Sequence, residues 1–372
     1  MSRGVSVLSP LEFKDTDIYD ILEKYLAGEL LSVRDIERLL KSHDLWALGK
    51  VAKTIKEKHY GKMCTYIKNM ILNYTNVCVV RCKFCAFYRE PGQGYLLSPR
   101  DAYNMIKEVW SRYKIRQVLI QGGVNPEITI DYFEELFHLI KSNLPDVAIH
   151  ALSPIEIDYL SKKHHMSYRE VLERLRDAGL DSLPGGGAEL LVERVRKILS
   201  PSKIDVETWI NIIEIAHRMG IPTSVTMMFG HVETTYERAL HLYRLRELQR
   251  RAPGSLAFIA WNFEPNKTRL AEEYGIKYPW GGYELLRIIA TARIVFDGFI
   301  PHIQAGWLTV GKDVAQLALN FGADDWGGTL YNERVIPSTG LKVKFPREDE
   351  IKLWIHQAGC EPRERDNWYR VI

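Results

Sequence analysis

The sequence lacks an apolar run long enough to span a membrane, and its first residues lack the charged-then-apolar profile of a signal peptide. Neither sign of charge is in large excess, since the chain has 50 Lys and Arg and 47 Asp and Glu, for a net charge of +3. Such a balance indicates an ordinary solvated surface. Five cysteines, three of them clustered, do not make a disulfide framework. We therefore expect a cytoplasmic protein that binds neither nucleic acid nor membrane.

No stretch is rich enough in Pro, Gly or Ser to act as a linker, and no segment is of low complexity. The sequence instead alternates strand and helix signals. The candidate strands are Met70–Tyr74, Gln117–Gln121, Val147–His150, Leu180–Leu183, Thr223–Phe229, Leu256–Trp261, Ile300–Gln304 and a short one near Ala323. A helix follows each of them, so the pattern predicts an α/β fold, a parallel (β/α) barrel of the TIM type rather than an open sheet.

Three segments are predicted within this fold. Residues 1–60 form a helical lead-in packed on the barrel, with Ser32 and Asp35 as a capping box and Asp44 as the cap of the next helix. Residues 61–332 form the barrel itself. Residues 333–372 form a covering segment made of a strand and a helix.

Cys78, Cys82 and Cys85 lie on the loop after the first predicted strand, with the spacing C-x-x-x-C-x-x-C. Thiolates grouped in this way select an iron–sulfur cluster, zinc or Cu(I). A zinc site would need a fourth ligand such as Cys64 or Cys360, but structural zinc sites usually show a second cysteine pair, and none is present. A plant-type 2Fe–2S centre uses a spacing one residue longer.

The spacing resembles the signature of the radical S-adenosylmethionine (radical SAM) enzymes, and Phe84 stands where their aromatic residue usually does. A 4Fe–4S cluster normally takes four thiolates. With three, one iron is left open, and in that superfamily it binds the amino and carboxylate groups of SAM. We therefore predict a 4Fe–4S cluster and SAM as cofactors, with the three cysteines as metal ligands. A non-catalytic iron–sulfur or zinc protein is the alternative from another class.

Polar and glycine residues collect at the carboxyl ends of the predicted strands, where the site of a barrel enzyme forms. Gln121, Gly122 and Gly123 follow one strand; the bare backbone would let the SAM ammonium approach, or would simply end the strand. Residues 185–187 are all glycine and precede Glu189, which is a candidate acceptor for a ribose hydroxyl. A plain tight turn is the other explanation for these glycines.

His150 and His231 also end strands and are candidate proton acceptors, although a lone histidine is usually just hydrogen-bonded in the core. Glu233 and Asp297 are candidates to bind sugar hydroxyls or take a proton, unless they are ion-pair partners of nearby arginines. Trp261 and Trp307 are candidates to pack on an aryl ring or to lie in the core.

Longer strings resemble one family, the cyclic dehypoxanthinyl futalosine synthases of the futalosine route to menaquinone. The resemblance covers the chain from about Asn73 to Arg365, and its motifs are specific for a group that includes aminofutalosine synthase and the deazaflavin (FO) synthase components. The strings include residues 73–78, 119–123, 150–154, 177–189, 226–234 and 304–311. Trp261 and Trp307 look typical of the cyclase rather than of its relatives.

The resemblance implies a reaction. The deoxyadenosyl radical takes hydrogen from the ribose 4′ carbon of dehypoxanthine futalosine, and the sugar radical closes a spiro ring onto the benzoate. A base then removes the aryl proton. Arg293 is the expected partner of the benzoate carboxylate, because a guanidinium binds a carboxylate in a bidentate way. The partners implied are this substrate and an electron donor such as a ferredoxin or flavodoxin, and the alternatives are the reactions of the two related enzymes.

Overall fold

A computed structural model describes residues 16–372 of the chain. Within these residues the strands are β1 Met63–Ile67, β2 Asn69–Leu72, β3 Gln117–Ile120, β4 Ala148–Ala151, β5 Thr223–Phe229, β6 Ser255–Asn262, β7 His302–Ile303, β8 Asp325–Gly328 and β9 Glu361–Glu364. The helices are α1 Tyr19–Leu26, α2 Val33–Lys41, α3 Leu45–Tyr60, α4 Pro99–Tyr113, α5 Ile130–Asn143, α6 Pro154–His164, α7 Tyr168–Ala178, α8 Glu193–Leu199, α9 Val206–Arg218, α10 Thr235–Arg251, α11 Arg269–Tyr274, α12 Gly282–Phe296, α13 Trp307–Leu319 and α14 Glu348–Gln357. No helix among the described residues is both long and apolar enough to cross a membrane.

The strands pair in parallel as three sheets, in the orders β2-β3-β4, β5-β6-β7 and β8-β1-β9. Four single parallel bridges join the sheets: His150 to Ser182, Leu183 to Thr223, Gln304 to Asp325, and Met70 to Tyr331. Since β1 and β2 are consecutive, these bridges close the sheets into a ring. The predicted α/β barrel is confirmed.

The predicted strand over Leu180–Leu183 is the least regular part of the ring. Ser182 and Leu183 each form one bridge, and the chain then reaches Pro184. Proline has no N–H to donate to a neighbouring strand, so the ladder stops there. A Cβ at Gly185 would lie 2.2 Å from the Ser224 carbonyl oxygen, which shows how closely the two backbones pass.

Helices α1–α3 precede the barrel and pack on its outer helices, α2 against α10 and α3 against α12. The predicted caps are present: Asp35 Oδ2 accepts from the Ser32 N–H at 2.9 Å, and Asp44 accepts from the Ala47 N–H at 2.8 Å. Ile36 and Leu39 are fully buried, so the apolar face of α2 supplies the packing. Local caps and one apolar stripe therefore build this part of the fold.

After α14 and β9, the chain turns inward at the floor of the barrel, its end opposite the cysteine loop. Strand β9 pairs with β1, and the last residues place Arg365, Asn367 and Tyr369 on the wall of the central cavity. Arg365 Nε lies 2.6 Å from Asp325 Oδ2, at the start of β8. The predicted helix and strand are present, but their continuation into the barrel was not predicted.

Candidate active site

The cysteine loop lies over the carboxyl end of β2 and is held by backbone hydrogen bonds. The Cys78 N–H donates to the Arg89 carbonyl at 3.0 Å, and the Val79 N–H donates to the Val124 carbonyl at 3.0 Å. The Val124 N–H in turn lies 3.4 Å from the Cys78 sulfur. The thiols of Cys78, Cys82 and Cys85 all line one cavity of about 470 Å³.

The three cysteine thiols fit an iron–sulfur cluster better than a single metal ion. Among residues 16–372, no three His, Cys, Asp or Glu side chains are grouped closely enough to hold one metal ion. Three thiols on one short loop suit a larger cubane with separate irons. Burial raises the pKa of Cys82 to about 12 and also raises that of Cys85, so without metal these sulfurs are held neutral. A coordinated metal deprotonates a thiol outright.

Gly122 and Gly123 line the cavity next to this loop. A Cβ on Gly123 would lie 2.2 Å from the Val77 carbonyl oxygen, and one on Gly122 would lie 2.8 Å from the Tyr74 ring. Neighbouring protein atoms thus occupy the space where each Cβ would lie, so close packing explains why both positions are glycine. Gln121, just before them, also lines the cavity.

Glu189 lies on the cavity wall with a partner that the sequence did not indicate. Lys203 Nζ donates to Glu189 Oε1 at 2.7 Å and lies 5.2 Å from the centre of the Phe84 ring. Glu189 itself has a positive φ of 41°, which is uncommon for a residue other than glycine. Lys203 was missed because an isolated lysine in a turn carries no sequence signal.

His150 lies on the cavity wall among neutral hydrogen-bonding groups. Its Nδ1 is 2.6 Å from the Ser182 hydroxyl, and its Nε2 is 3.4 Å from the Ser224 hydroxyl. Burial, with a smaller effect of the Arg365 charge, lowers the pKa of His150 to about 3. The imidazole is therefore neutral at physiological pH and is a weak base.

Asn367, on the C-terminal segment, contributes a group with no partner in the described structure. Its side-chain oxygen accepts from Gln117 at 2.7 Å and from Ser182 at 3.1 Å. Its Nδ2 is buried and makes no hydrogen bond. A buried amide donor without a partner costs free energy unless a ligand supplies an acceptor. Asn367 was missed because nothing in the last residues marks them as barrel-lining.

The structure corrects the expectation for His231 and Glu233, which do not line the cavity. His231 Nδ1 lies 2.8 Å from Glu233 Oε2, and Arg238 lies 2.7 Å from Glu233 Oε1. Burial alone would raise the pKa of Glu233, but the hydrogen bond and charge of His231 and the charge of Arg238 hold it at about 2. Glu233 is thus an ion-pair partner, the second of the two explanations that the sequence left open.

Arg293 and Asp297 are also misplaced for the roles expected of them, because both face the outside of the barrel. Arg293 forms a buried ion pair with Asp324 and donates to the Gly322 carbonyl at 2.7 Å, which uses its guanidinium fork. Asp297 accepts from the Tyr25 hydroxyl at 2.6 Å and pairs with His59 Nε2 at 2.7 Å. Neither lines the cavity, since α12 packs against α2 and α3 of the lead-in.

Trp261 and Trp307 both lie on the cavity wall. The Trp307 indole N–H donates to the Gly328 carbonyl at 3.0 Å, which fixes the ring against β8. Trp261 lies at the end of β6 and is only partly buried. The cavity therefore presents these two indoles, and that of Trp326, together with the cysteine loop.

Two family models match the chain one after the other. Residues 72–245 match the Radical SAM superfamily, and residues 252–372 match the CofH/MqnC C-terminal region. Methylornithine synthase shares the fold, with a TM-score of 0.70 at 18% identity over 91% of this chain and 96% of that one. The FeFe-hydrogenase maturase HydG from Carboxydothermus hydrogenoformans has a TM-score of 0.73 at 18% identity, over 95% of this chain and 80% of that one. The chain is a radical SAM enzyme.

Relatives of known activity are similar over nearly the whole chain. Cyclic dehypoxanthine futalosine synthase of Streptomyces coelicolor is 37% identical, over 96% of this chain and 89% of that protein. Aminodeoxyfutalosine synthase of Thermus thermophilus is 36% identical, over 96% of this chain and 97% of that protein. A 5-amino-6-(D-ribitylamino)uracil–L-tyrosine 4-hydroxyphenyl transferase of Methanosarcina acetivorans is 35% identical, over 95% of this chain and 94% of that protein. The chain belongs to the family that these enzymes form within the radical SAM superfamily.

Proposed function

We propose that the protein is a cyclic dehypoxanthine futalosine synthase that acts in menaquinone biosynthesis. The observation that carries the proposal is one cavity that holds both the three-cysteine loop and the two indoles of Trp261 and Trp307. Relatives with three different activities match the chain at 37%, 36% and 35% identity. The choice therefore depends on the residues of the cavity.

The proposed cofactors are a 4Fe–4S cluster, which Cys78, Cys82 and Cys85 would hold, and SAM. When bound, they supply a 5′-deoxyadenosyl radical that takes a hydrogen atom from the substrate. Phe84, the Gln121–Gly123 segment and Glu189 are placed on the cavity wall, where they would hold SAM. Lys203 neutralises Glu189 and orients it, so one carboxylate oxygen is committed to the lysine.

The substrate is proposed to lie between the two indoles, with its polar groups reaching further into the barrel. An aryl ring packed against Trp307 would be held in orientation, since such contacts add about 0.5–1.5 kcal/mol beyond burial. The unpartnered Nδ2 of Asn367 is available to a carbonyl or carboxylate oxygen of the substrate. Asn367 thus replaces Arg293 as the candidate partner of the benzoate end.

Ring closure requires that the sugar radical meets the arene before it meets solvent. The chain's own contribution is to hold the two parts of the substrate close together and to exclude water. A cavity walled by Trp261, Trp307, Leu308 and Ile336 suits that purpose, because these apolar side chains leave water few partners. A cytoplasmic ferredoxin or flavodoxin is the proposed electron donor.

The test is anaerobic reconstitution with iron and sulfide, reduction, and incubation with dehypoxanthine futalosine and SAM. The expected result is the spiro product and 5′-deoxyadenosine in equal amounts, with deuterium moving from the ribose 4′ position into deoxyadenosine. Turnover only with the precursor of aminodeoxyfutalosine would assign the chain to that relative's activity instead. A reduced protein that leaves SAM intact would contradict the radical mechanism.

A further inference from the structure

The cavity wall holds two buried carboxyl groups for which the reaction described so far has no use, those of Glu156 and Glu333. Burial raises the pKa of each to about 7, against the effect of the hydrogen bonds that each accepts. A carboxyl group with such a pKa exchanges protons near neutral pH. The two groups differ in how their oxygens are engaged.

Both carboxyl oxygens of Glu156 accept hydrogen bonds from neighbouring residues. Its Oε1 accepts from the Tyr74 hydroxyl at 2.5 Å, and its Oε2 accepts from the Ser153 hydroxyl at 2.7 Å. A backbone hydrogen bond from Gly122 adds a third donor. This carboxyl therefore ties α6 to the glycine segment beside the cysteine loop.

Glu333 is held only by backbone. Its Oε1 accepts from the Val335 N–H at 2.6 Å, and its Oε2 accepts from the Ile336 N–H at 3.1 Å. No salt bridge to it is formed within residues 16–372, and its pKa shift has no contribution from a neighbouring charge. The Ile336 N–H also lies 3.3 Å from Oε1, so Oε2 is the oxygen that keeps a lone pair for a further partner. The residue is 5% exposed and lines the cavity.

The position of Glu333 relates it to the aryl ring. The residue follows β8 by five positions, and the Trp307 indole donates to Gly328 at the end of the same strand. An aryl group that packs on Trp307 therefore lies beside the segment that carries Glu333. Val335 and Ile336, whose N–H groups hold the carboxylate, line the same cavity.

We propose that Glu333 is the base that removes the aryl proton during ring closure; this inference rests on the proposed function. The sugar radical forms a carbon–carbon bond to the ring, and the attacked ring carbon then carries both the new bond and its hydrogen. The carbon–hydrogen bond breaks, the proton passes to the Glu333 carboxylate, and one electron passes to a one-electron oxidant. The oxidised iron–sulfur cluster is an acceptor of that class. The arene is thereby restored.

The other ionisable groups of the cavity are less suited to this step. His150 has both ring nitrogens near serine hydroxyls and a pKa of about 3, so it is a weak base. Glu189 is committed to Lys203, and Arg365 is paired with Asp325. His231, the other histidine that the sequence offers as a proton acceptor, does not line the cavity.

The test compares Glu333→Gln with the wild-type enzyme, both reconstituted and reduced, on substrate carrying deuterium at the ribose 4′ position. The glutamine keeps an oxygen to accept from Val335 but removes the base. We expect deoxyadenosine formation and deuterium transfer within about twofold of wild type, with spiro product per deoxyadenosine reduced about 10²-fold or more. Glu333→Asp, which keeps a carboxylate, should give a ratio between the two.

Glu156→Gln is the matched control, because it neutralises the other buried carboxyl of the same cavity. Its ratio of product to deoxyadenosine should stay at one, whatever its absolute rate. Equal product and deoxyadenosine in Glu333→Gln would overturn the proposal, and so would a loss of deoxyadenosine in that variant with its iron content intact. Failure of the proposed function is a separate result, since the wild type would then make no spiro product.

Discussion

Arg365 and Arg370 offer a matched test of how the C-terminal segment is held. In each, Nε lies 2.6 Å from a carboxylate oxygen, that of Asp325 for Arg365 and that of Asp366 for Arg370. Each guanidinium also lies over an aromatic ring, at 3.6 Å from the Tyr369 centre and 5.0 Å from the Trp368 centre. The two pairs differ in burial. The Arg365 and Asp325 side chains are 2% and 0% exposed, against 71% and 16% for the pair on the surface.

Replacing each arginine by methionine keeps the length of the side chain and removes the charge. Arg365→Met leaves the Asp325 carboxyl group inside the barrel without its ion-pair partner, with Thr65 Oγ1 at 2.6 Å as a donor. Removing one partner of a buried pair typically costs about 3–5 kcal/mol, because the other charge stays desolvated. Arg370→Met removes an exposed pair, which is worth about 0.2–1 kcal/mol. We therefore expect the free energy of unfolding to fall several times more for Arg365→Met.

The measurement is equilibrium urea unfolding of the metal-free protein under reducing conditions, followed by far-ultraviolet circular dichroism. Adding Asp325→Asn to Arg365→Met removes the stranded charge and should recover at least half of the loss. Equal shifts of the unfolding midpoint in the two single variants would refute the reasoning, since they would show that burial does not decide the strength of this pair. No recovery in the double variant would show that the cost has another origin.

Three further outcomes are expected. Replacing Cys78, Cys82 or Cys85 by serine should abolish iron binding after reconstitution. Cys64→Ser and Cys360→Ser should leave the iron content unchanged, and a loss of iron in either of these two variants would indicate a fourth ligand. Gly123→Ala should lower both iron content and SAM cleavage, because its Cβ would lie 2.2 Å from the Val77 carbonyl oxygen; normal iron content would contradict this. The pKa of Glu233 falls from 4.5 to about 2 on folding, so its ionised form stabilises the fold above pH 4.5 and that contribution is lost toward pH 2. Glu233→Gln should thus cost about 3 kcal/mol at pH 7 and much less near pH 2, by urea unfolding at each pH; a cost independent of pH would exclude the carboxylate charge as its source.

The cysteine loop and the barrel were predictable because their signals are local. Cys78, Cys82 and Cys85 share one loop, so their spacing alone places three thiols together, and the family resemblance rests on that string and others like it. The helix caps, such as Ser32 with Asp35, also act within four residues and appear in the structure as predicted. Alternation of such elements is enough to indicate a parallel barrel, since each strand needs a helical crossover to reach the next.

The tertiary structure alone decided which polar side chains reach the cavity. His231 follows the end of β5 by two positions, and the contacts of Glu233 with His231 and Arg238 hold both His231 and Glu233 outside the cavity. Asn367, 250 positions from its partner Gln117, reaches the cavity only because β9 pairs with β1 and directs the last residues inward. Residue type and strand position determine which side chains are able to do chemistry. Which of them face the cavity depends on long-range pairing and on competition between buried charges, and neither leaves a periodic mark in the sequence.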